Sequence, residues 1–363
     1  MLRLLIRPSL LALGLAAVLI GVVYVAGAAF AAPGQILAFT ATVDTGRAYV
    51  GLFDLARGDV RAFNDATLQQ SFADWSADGM RLAVAQLGFP QVEAAPLRTT
   101  RIIDFGTGQE HIIGGTGYAE RFSPDGRWLA SARQIEGVRA ELRLIDAESG
   151  QASRLSRQIN VSGSPAWMPD GSAVLIGGNR GNESDQIYRF GVDASEPERL
   201  TESQGNNFNP QPSPDGRWLL FLSYQQRGLR AVLVPLATPG DEPRAITAGD
   251  GFCQYPEWSP DSTRIAVICQ GMYGQLRQSL FVAYVDQGEI DFLVTNVMAV
   301  PMAWVTEPGS DTGAILYAGA DGFLYRVAAP IAPIEGTGQP RPIPVPIRRL
   351  YTDQAYLPLG VRP

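Results

Sequence analysis

Histidine is almost missing from this sequence: His111 stands alone among 363 residues. A histidine-based metal cage needs several such ligands, and a serine hydrolase needs one downstream of its nucleophile. No Gly-x-Ser-x-Gly elbow is present either. Two cysteines, Cys253 and Cys269, are too few for a disulfide scaffold or a four-cysteine metal site. No Asp-x-Asp-x-Asp-Gly calcium loop occurs. Gly106-Thr107-Gly108 and Gly115-Thr116-Gly117 lack the third glycine of a dinucleotide loop and read as turns. Basic excess is absent too: 29 Lys plus Arg face 36 Asp plus Glu, a formal net charge of -7. Without a basic cluster there is nothing to neutralise phosphates. These absences lead us to expect no metal, no cofactor and no nucleic-acid partner.

What is present begins with an apolar leader. Arg3 and Arg7 precede Leu10 to Ala32, a run of 23 residues without a charge. About 20 apolar residues span a bilayer, and the arginines hold the start on the cytoplasmic side. Ala29-Phe30-Ala31 also has the small-x-small form of a signal cleavage site. Residues 1–32 are thus a transmembrane anchor or a cleaved signal, and both export residues 33–363. The expected location is the outer side of the cytoplasmic membrane, or the periplasm or medium after cleavage.

The exported part is organised by one recurring phrase: an aromatic residue, Ser, Pro, Asp, Gly, then a hydrophobic strand. Its copies are Trp75 to Gly79, Phe122 to Gly126, Trp167 to Gly171, Pro212 to Gly216 and Trp258 to Ser262. The aspartates fall at 78, 125, 170, 215 and 261, so the steps are 47, 45, 45 and 46. A fixed period of this size marks a repeated supersecondary unit. Within one repeat the apolar runs Tyr255–Trp258, Arg264–Ile268, Leu280–Val285 and Ile290–Thr295 read as four short strands. Four strands per repeat describe a blade of a β-propeller, so the fold class is all-β. No capped amphipathic helix interrupts the pattern.

The phrase has a physical reading. Proline pre-sets the first corner of a turn, the aspartate side chain bonds backbone amides two residues on, and glycine accepts positive φ. Asp78, Asp125, Asp170, Asp215 and Asp261 are therefore assigned to the hairpin between strands one and two of each blade. The aromatic before each turn packs between neighbouring blades. A sixth copy begins at Trp304 with an altered turn through Gly313, and Ile343–Ile347, with its prolines, fits only an outer edge strand. Gln35–Thr40, Ala48–Phe53 and Val60–Phe63 supply three strands with no first strand before them. Ala355–Gly360, with Tyr356 in the tryptophan slot, is the candidate to complete them. That closes a ring of seven blades; without it the count is six and an incomplete one. A closed ring removes exposed strand edges.

These residues resemble the TolB-type, WD-like propeller repeat, over roughly residues 35–360. The resemblance implies an exported protein that binds other proteins. It also implies that function lies in loops, since this fold serves many tasks. The loops opposite the Asp turns are Gln86–Thr100, Asn179–Asp185, Ser203–Asn209, Gly249–Gln254 and Gln270–Gln278. Asn206, Asn207, Phe208, Phe252 and Tyr273 form a candidate uncharged, aromatic binding rim. Asp74, Glu120 and Glu257 are candidate channel acids. His111 falls in a fourth strand, Glu110–Ile113, as a packed or surface residue. If Trp258 pairs with Ile265, the partner of Cys253 is position 269 or 270, so Cys253 and Cys269 are either a disulfide or two buried thiols. Two functions fit: a membrane-tethered module binding a protein or an envelope glycan, or a carboxylate-dependent enzyme acting on such a glycan within the channel.

Overall fold

The computed structural model describes residues 36–361, apart from 43–47, 55–56, 58–59, 64–67, 89–96, 118, 136–139, 157–158, 182, 194–195, 204, 226–227, 248–250, 306–312, 322, 334–344 and 350–358. The leader 1–32, the altered turn after Trp304, Tyr356 and the tip of the Gln86–Thr100 loop lie outside the described residues. No helix among the described residues is long and apolar enough to cross a membrane. The one described helix is a short 3-10 turn, Met272–Gly274.

Strands follow the 45-residue period. The second sheet pairs Leu68–Trp75, Arg81–Gly88, Leu97–Asp104 and Glu110–Gly114 in sequence order. The third pairs Glu120–Phe122, Trp128–Gln134, Ala140–Asp146 and Ala152–Arg154. The fourth pairs Asn160–Trp167, Ala173–Asn179, Gln186–Gly191 and Glu198–Arg199. Next comes an eight-stranded sheet running from Asn206–Pro212 to Ile290–Thr295. A single parallel pairing, Leu229 with Phe252, welds its two halves of four strands. The last complete sheet pairs Ala303–Val305, Ala314–Ala318, Phe323–Ala328 and Val345–Arg349. Its proline-containing strand takes the outer edge, where a missing N–H costs no ladder bond.

The two ends of the chain meet in one sheet. Leu359–Val361 pairs antiparallel with Ile36–Thr42, which continues into Ala48–Asp54 and Val60–Phe63. The carboxy-terminal strand lies beside both Leu68–Trp75 and Ala303–Val305, so the ring is closed there. Period-two alternation then sorts side chains between seams. Ile36 and Ala38 pack with Trp75, Leu82 and Val84 of the next sheet. Leu37 and Phe39 pack with Ala303, Ala314 and Leu316 of the last. Similar apolar seams join the remaining neighbours. The slot aromatics Trp75, Phe122, Trp167, Trp258 and Trp304 are buried in these seams. Three also bond across them: Trp167 Nε1 donates to Arg121 O (3.0 Å), Trp258 Nε1 to Gln211 O (3.2 Å) and Trp304 Nε1 to Glu257 O (3.0 Å).

The Asp turns are built as the sequence implies. Ser76, Ser123, Ser213 and Ser259 each donate Oγ–H to the aspartate two residues on, at 2.5–2.6 Å. The same hydroxyls accept the backbone N–H of Arg81, Trp128, Trp218 and Arg264. Each aspartate accepts the N–H two residues further along, including Ser172 N–H at Asp170. The following residue holds φ of 66° to 72° at Gly79, Gly126, Gly171 and Gly216, and 62° at Ser262.

Candidate functional site

Two places on the ring carry side chains beyond what the fold needs. The first is the axis. The residues just before the aromatic slots sit on the innermost strands: Asp74, Arg121, Ala166, Gln211, Glu257 and Ala303. Arg121 Nη1 donates to Ala73 O (2.6 Å) and Phe122 N–H donates to Asp74 Oδ2 (2.8 Å). Gln211 Nε2 donates to Pro256 O (2.9 Å). Burial pushes the Asp74 carboxyl up to about 6, against the pull of Arg121 and the backbone amides. Burial also pushes Glu257 up to about 7, again against Arg121. One guanidinium thus acts on acids from two other sheets, and both acids change charge near neutrality. Glu120 is different. It is fully buried, on the same strand face as Phe122 of the seam with the preceding sheet, and desolvation raises it too.

The inner strands are also bulged. Register slips by one residue between Phe72 and Asp74, Phe208 and Gln211, and Gln254 and Glu257. The slips carry positive φ at Asn209 (51°) and Tyr255 (52°), with Gly163 (73°) in the irregular stretch of the preceding sheet. Bulges re-aim side chains and gather next to functional sites. They also set the cysteine register. Trp258 pairs with Ile265, and the extra residue moves the partner of Cys253 to Cys269 rather than position 270. The two sulfurs are bonded to each other, beneath the loop face.

The second place is the loop end of the welded sheet. Asn160, Asn206 and Phe252 are spaced 46 residues apart at the heads of successive inner strands. Asn160 Oδ1 accepts Ala140 N–H (2.8 Å) and Asn206 Oδ1 accepts Asp185 N–H (2.9 Å), each capping a strand of the preceding sheet. Phe252 has no such acceptor; there the backbone makes the weld, with Leu229 N–H donating to Gly251 O (3.2 Å). Its ring is 44% exposed, as is Tyr224, and Leu276 is 83% exposed. Tyr224 pairs with Leu229, Leu229 with Phe252, and Phe252 with Gln270, whose Nε2 donates to Leu276 O (3.0 Å). Exposed apolar side chains therefore gather at this loop end, Tyr224 and Phe252 on nearby strand ends and Leu276 on the loop beyond Gln270.

The expected rim is therefore divided. Phe252 lies on it and Asn206 at its border. Asn207 does not belong to it: the residue is 1% exposed, and its Nδ2 donates to Gln186 Oε1, Thr201 Oγ1 and Ser203 Oγ. Strand alternation turns it inward to tie a seam. Phe208 is half-buried and packs on the apolar seam of the welded sheet. Tyr273 is placed on the 3-10 turn Met272–Gly274. His111 sits on an edge strand with Nε2 2.5 Å from Ala147 O, a tie between sheets. Reading single positions missed Arg121, Tyr224 and Leu276.

Comparison with known proteins follows this geometry. The model of the TolB beta propeller domain matches residues 73–266. This chain belongs to that family. An uncharacterized protein of Agrobacterium fabrum is 26% identical over 187 residues, 46% of this chain and 63% of the relative. TolB of Acinetobacter baumannii superposes with a TM-score of 0.52 at 19% identity, covering 70% of this chain and 62% of that one. The oligogalacturonate lyase of Vibrio parahaemolyticus superposes at 0.57 with 14% identity, covering 82% and 84%. This TolB-family propeller therefore spans somewhat under two thirds of the first two proteins and most of the third. At these identities the superpositions establish the fold.

Proposed function

We propose that this chain is an exported, seven-bladed propeller that works as a binding module, taking a protein partner on its loop face. One observation carries the reading: Tyr224, Phe252 and Leu276 are exposed apolar side chains clustered at the loop end where two blades are welded. Exposed apolar patches rimmed by polar groups are the usual mark of a protein-binding surface. Residues 1–32 supply export, as an anchor or a cleaved signal, and an anchored form presents the loop face outside the membrane. The test compares full-length protein with Phe252→Asp and Tyr224→Ser in crosslinking on intact cells. Loss of the same crosslinked partner in both variants, with unchanged unfolding midpoints, supports the reading. An unaltered crosslinking pattern sinks it.

A second reading has its own observation. Asp74 at about 6 and Glu257 at about 7 titrate in the range of a general acid or base. In that reading the channel cleaves an envelope glycan, with the two carboxyls sharing acid and base roles. Glycan turnover that disappears in both Asp74→Asn and Glu257→Gln supports it; equal turnover in either variant ends it.

A further inference from the structure

We propose that the seam between the sheets of 68–114 and 120–154 holds a monovalent cation, Na+ or K+. Its oxygen ligands are Glu120 Oε2, Thr100 Oγ1 and Thr116 Oγ1. The seam is separate from the apolar cluster of the loop face, and it shares Arg121 with the axis acids.

Glu120 is anomalous within the repeat. The position two residues before the aromatic slot is Ala73, Pro165, Pro210, Pro256 or Met302 in the other copies. Only here is it a carboxylate, and it is 0% exposed. Its Oε1 accepts Ser131 Oγ–H at 3.3 Å, while Ser131 Oγ in turn accepts Gly117 N–H at 2.8 Å. Its Oε2 has no hydrogen-bond partner among the described residues. Arg121, next in sequence, aims Nη1 at the carbonyls of Ala73 and Glu120 instead.

Two hydroxyls share this condition. Thr100 is 0% exposed, Thr116 is 2% exposed, and both Oγ1 atoms lack a hydrogen-bond partner among the described residues. Pairing registers bring Glu120 and Thr100 to one seam, and Thr116 lies on the connection between the two sheets. Glu120 and Ser131 stand opposite each other, one step along the same face from Phe122 and Leu129. Phe122 and Leu129 pack with Ile102 and Ile113 of the facing sheet. Thr100 is two residues from Ile102 on that face and pairs with Ile113. Thr116 immediately precedes Gly117, whose N–H reaches Ser131. The loop is fixed closely there: a Cβ on Gly117 would lie 1.9 Å from Ala132 O.

A buried carboxylate oxygen and two buried hydroxyl oxygens are hard donors, which suit alkali and alkaline-earth cations. Glu120 is the one carboxylate here and the guanidinium charges of Arg121 and Arg98 already act on it, so the seam favours a monovalent over a divalent ion. Calcium-type sites gather more carboxylates than this seam offers. A cation also relieves the cost of an ionised carboxylate away from water.

The test is thermal unfolding of the full-length protein in detergent, in NaCl, KCl or N-methylglucamine chloride at equal ionic strength. Na+ or K+ is expected to raise the midpoint by about 2 °C for each tenfold increase above its dissociation constant. The effect weakens as pH falls, because protons compete for Glu120. Glu120→Gln, of the same shape, is expected to abolish the difference between salts, and Thr116→Val to reduce it. Broadening of the 23Na resonance by wild-type protein, absent with Glu120→Gln, reads the site without reference to stability. Equal midpoints in all three salts for wild type, or an undiminished salt difference in Glu120→Gln, overturns the proposal in favour of a protonated carboxyl.

Discussion

The two faces of the ring are made from the same repeats and have diverged to different degrees. On the turn face, Asp78, Asp125, Asp170, Asp215 and Asp261 do the same thing, closing a hairpin with a side-chain oxygen. On the loop face, equivalent positions differ: Asn160 and Asn206 cap neighbouring strands, while Phe252 leaves its ring in solvent. Uniformity marks what the backbone requires. Departure from it, at Phe252, Arg121 and Glu120, marks where the chain has been free to do something else.

The strongest way to break this contrast is to damage what both faces share. Trp258→Ala empties a seam and removes the bond to Gln211 O. A loss of about 3–5 kcal/mol is expected in denaturant unfolding. Next comes the disulfide, which closes a separation of 16 residues beneath the loop face. The double variant Cys253→Ala/Cys269→Ser should lose about 3 kcal/mol, measured the same way. An unchanged midpoint would show that the thiols contribute only packing.

Smaller effects separate the faces. Asp125→Ala should cost about 1–2 kcal/mol through the lost turn bonds, with partner crosslinking retained. Phe252→Ser should show the reverse, a stability change within about 0.5 kcal/mol and lost crosslinking.

The pH profile offers a sharper contrast, because turn acids and axis acids carry opposite signs. Burial acts upward on Asp261, but Ser259, Thr263 and Arg264 outweigh it and hold the carboxyl at about 2. Its folded value is below 3.8, so its stabilisation is present above about pH 4 and fades as pH falls towards 2. Asp74 and Glu257 are raised, so the folded state holds their protons more tightly than the unfolded chain. Their contribution is complete below about pH 4 and is lost as pH rises through about 6 and 7. Asp74→Asn with Glu257→Gln should therefore raise stability at pH 8 by a few kcal/mol, at most about 3 per site, and leave it little changed at pH 4. Unfolding midpoints across pH 4–8 for wild type and double variant check the sign.

Much of the fold was legible because its period is written in residues that turns require. The 46-residue step located the hairpins, and Val60–Phe63 and Ile290–Thr295 emerged with the bounds read from the apolar runs. The bulges were not legible. One extra residue at Tyr255 leaves no trace in hydrophobic alternation, yet it chose Cys269 over position 270. Asn207 read as a loop residue because amides are common there, whereas one step of strand alternation turned it into a buried tie. Arg121 was passed over because a single arginine beside a repeat motif has no pattern of its own.

By itself, the sequence determined the unit, its spacing and the turn chemistry, since these depend on local backbone preference and on period; it left open whether the two ends meet, which the pairing of Leu359–Val361 with Ile36–Thr42 decides. Only the tertiary structure decided which side chains face one another across seams and around the axis. Those contacts join residues far apart in the chain, 32 positions for Phe72 N–H on Thr40 Oγ1 and 257 − 121 = 136 for Arg121 acting on Glu257. Their geometry follows from how sheets twist, slip and pack, and no local stretch of chain encodes that.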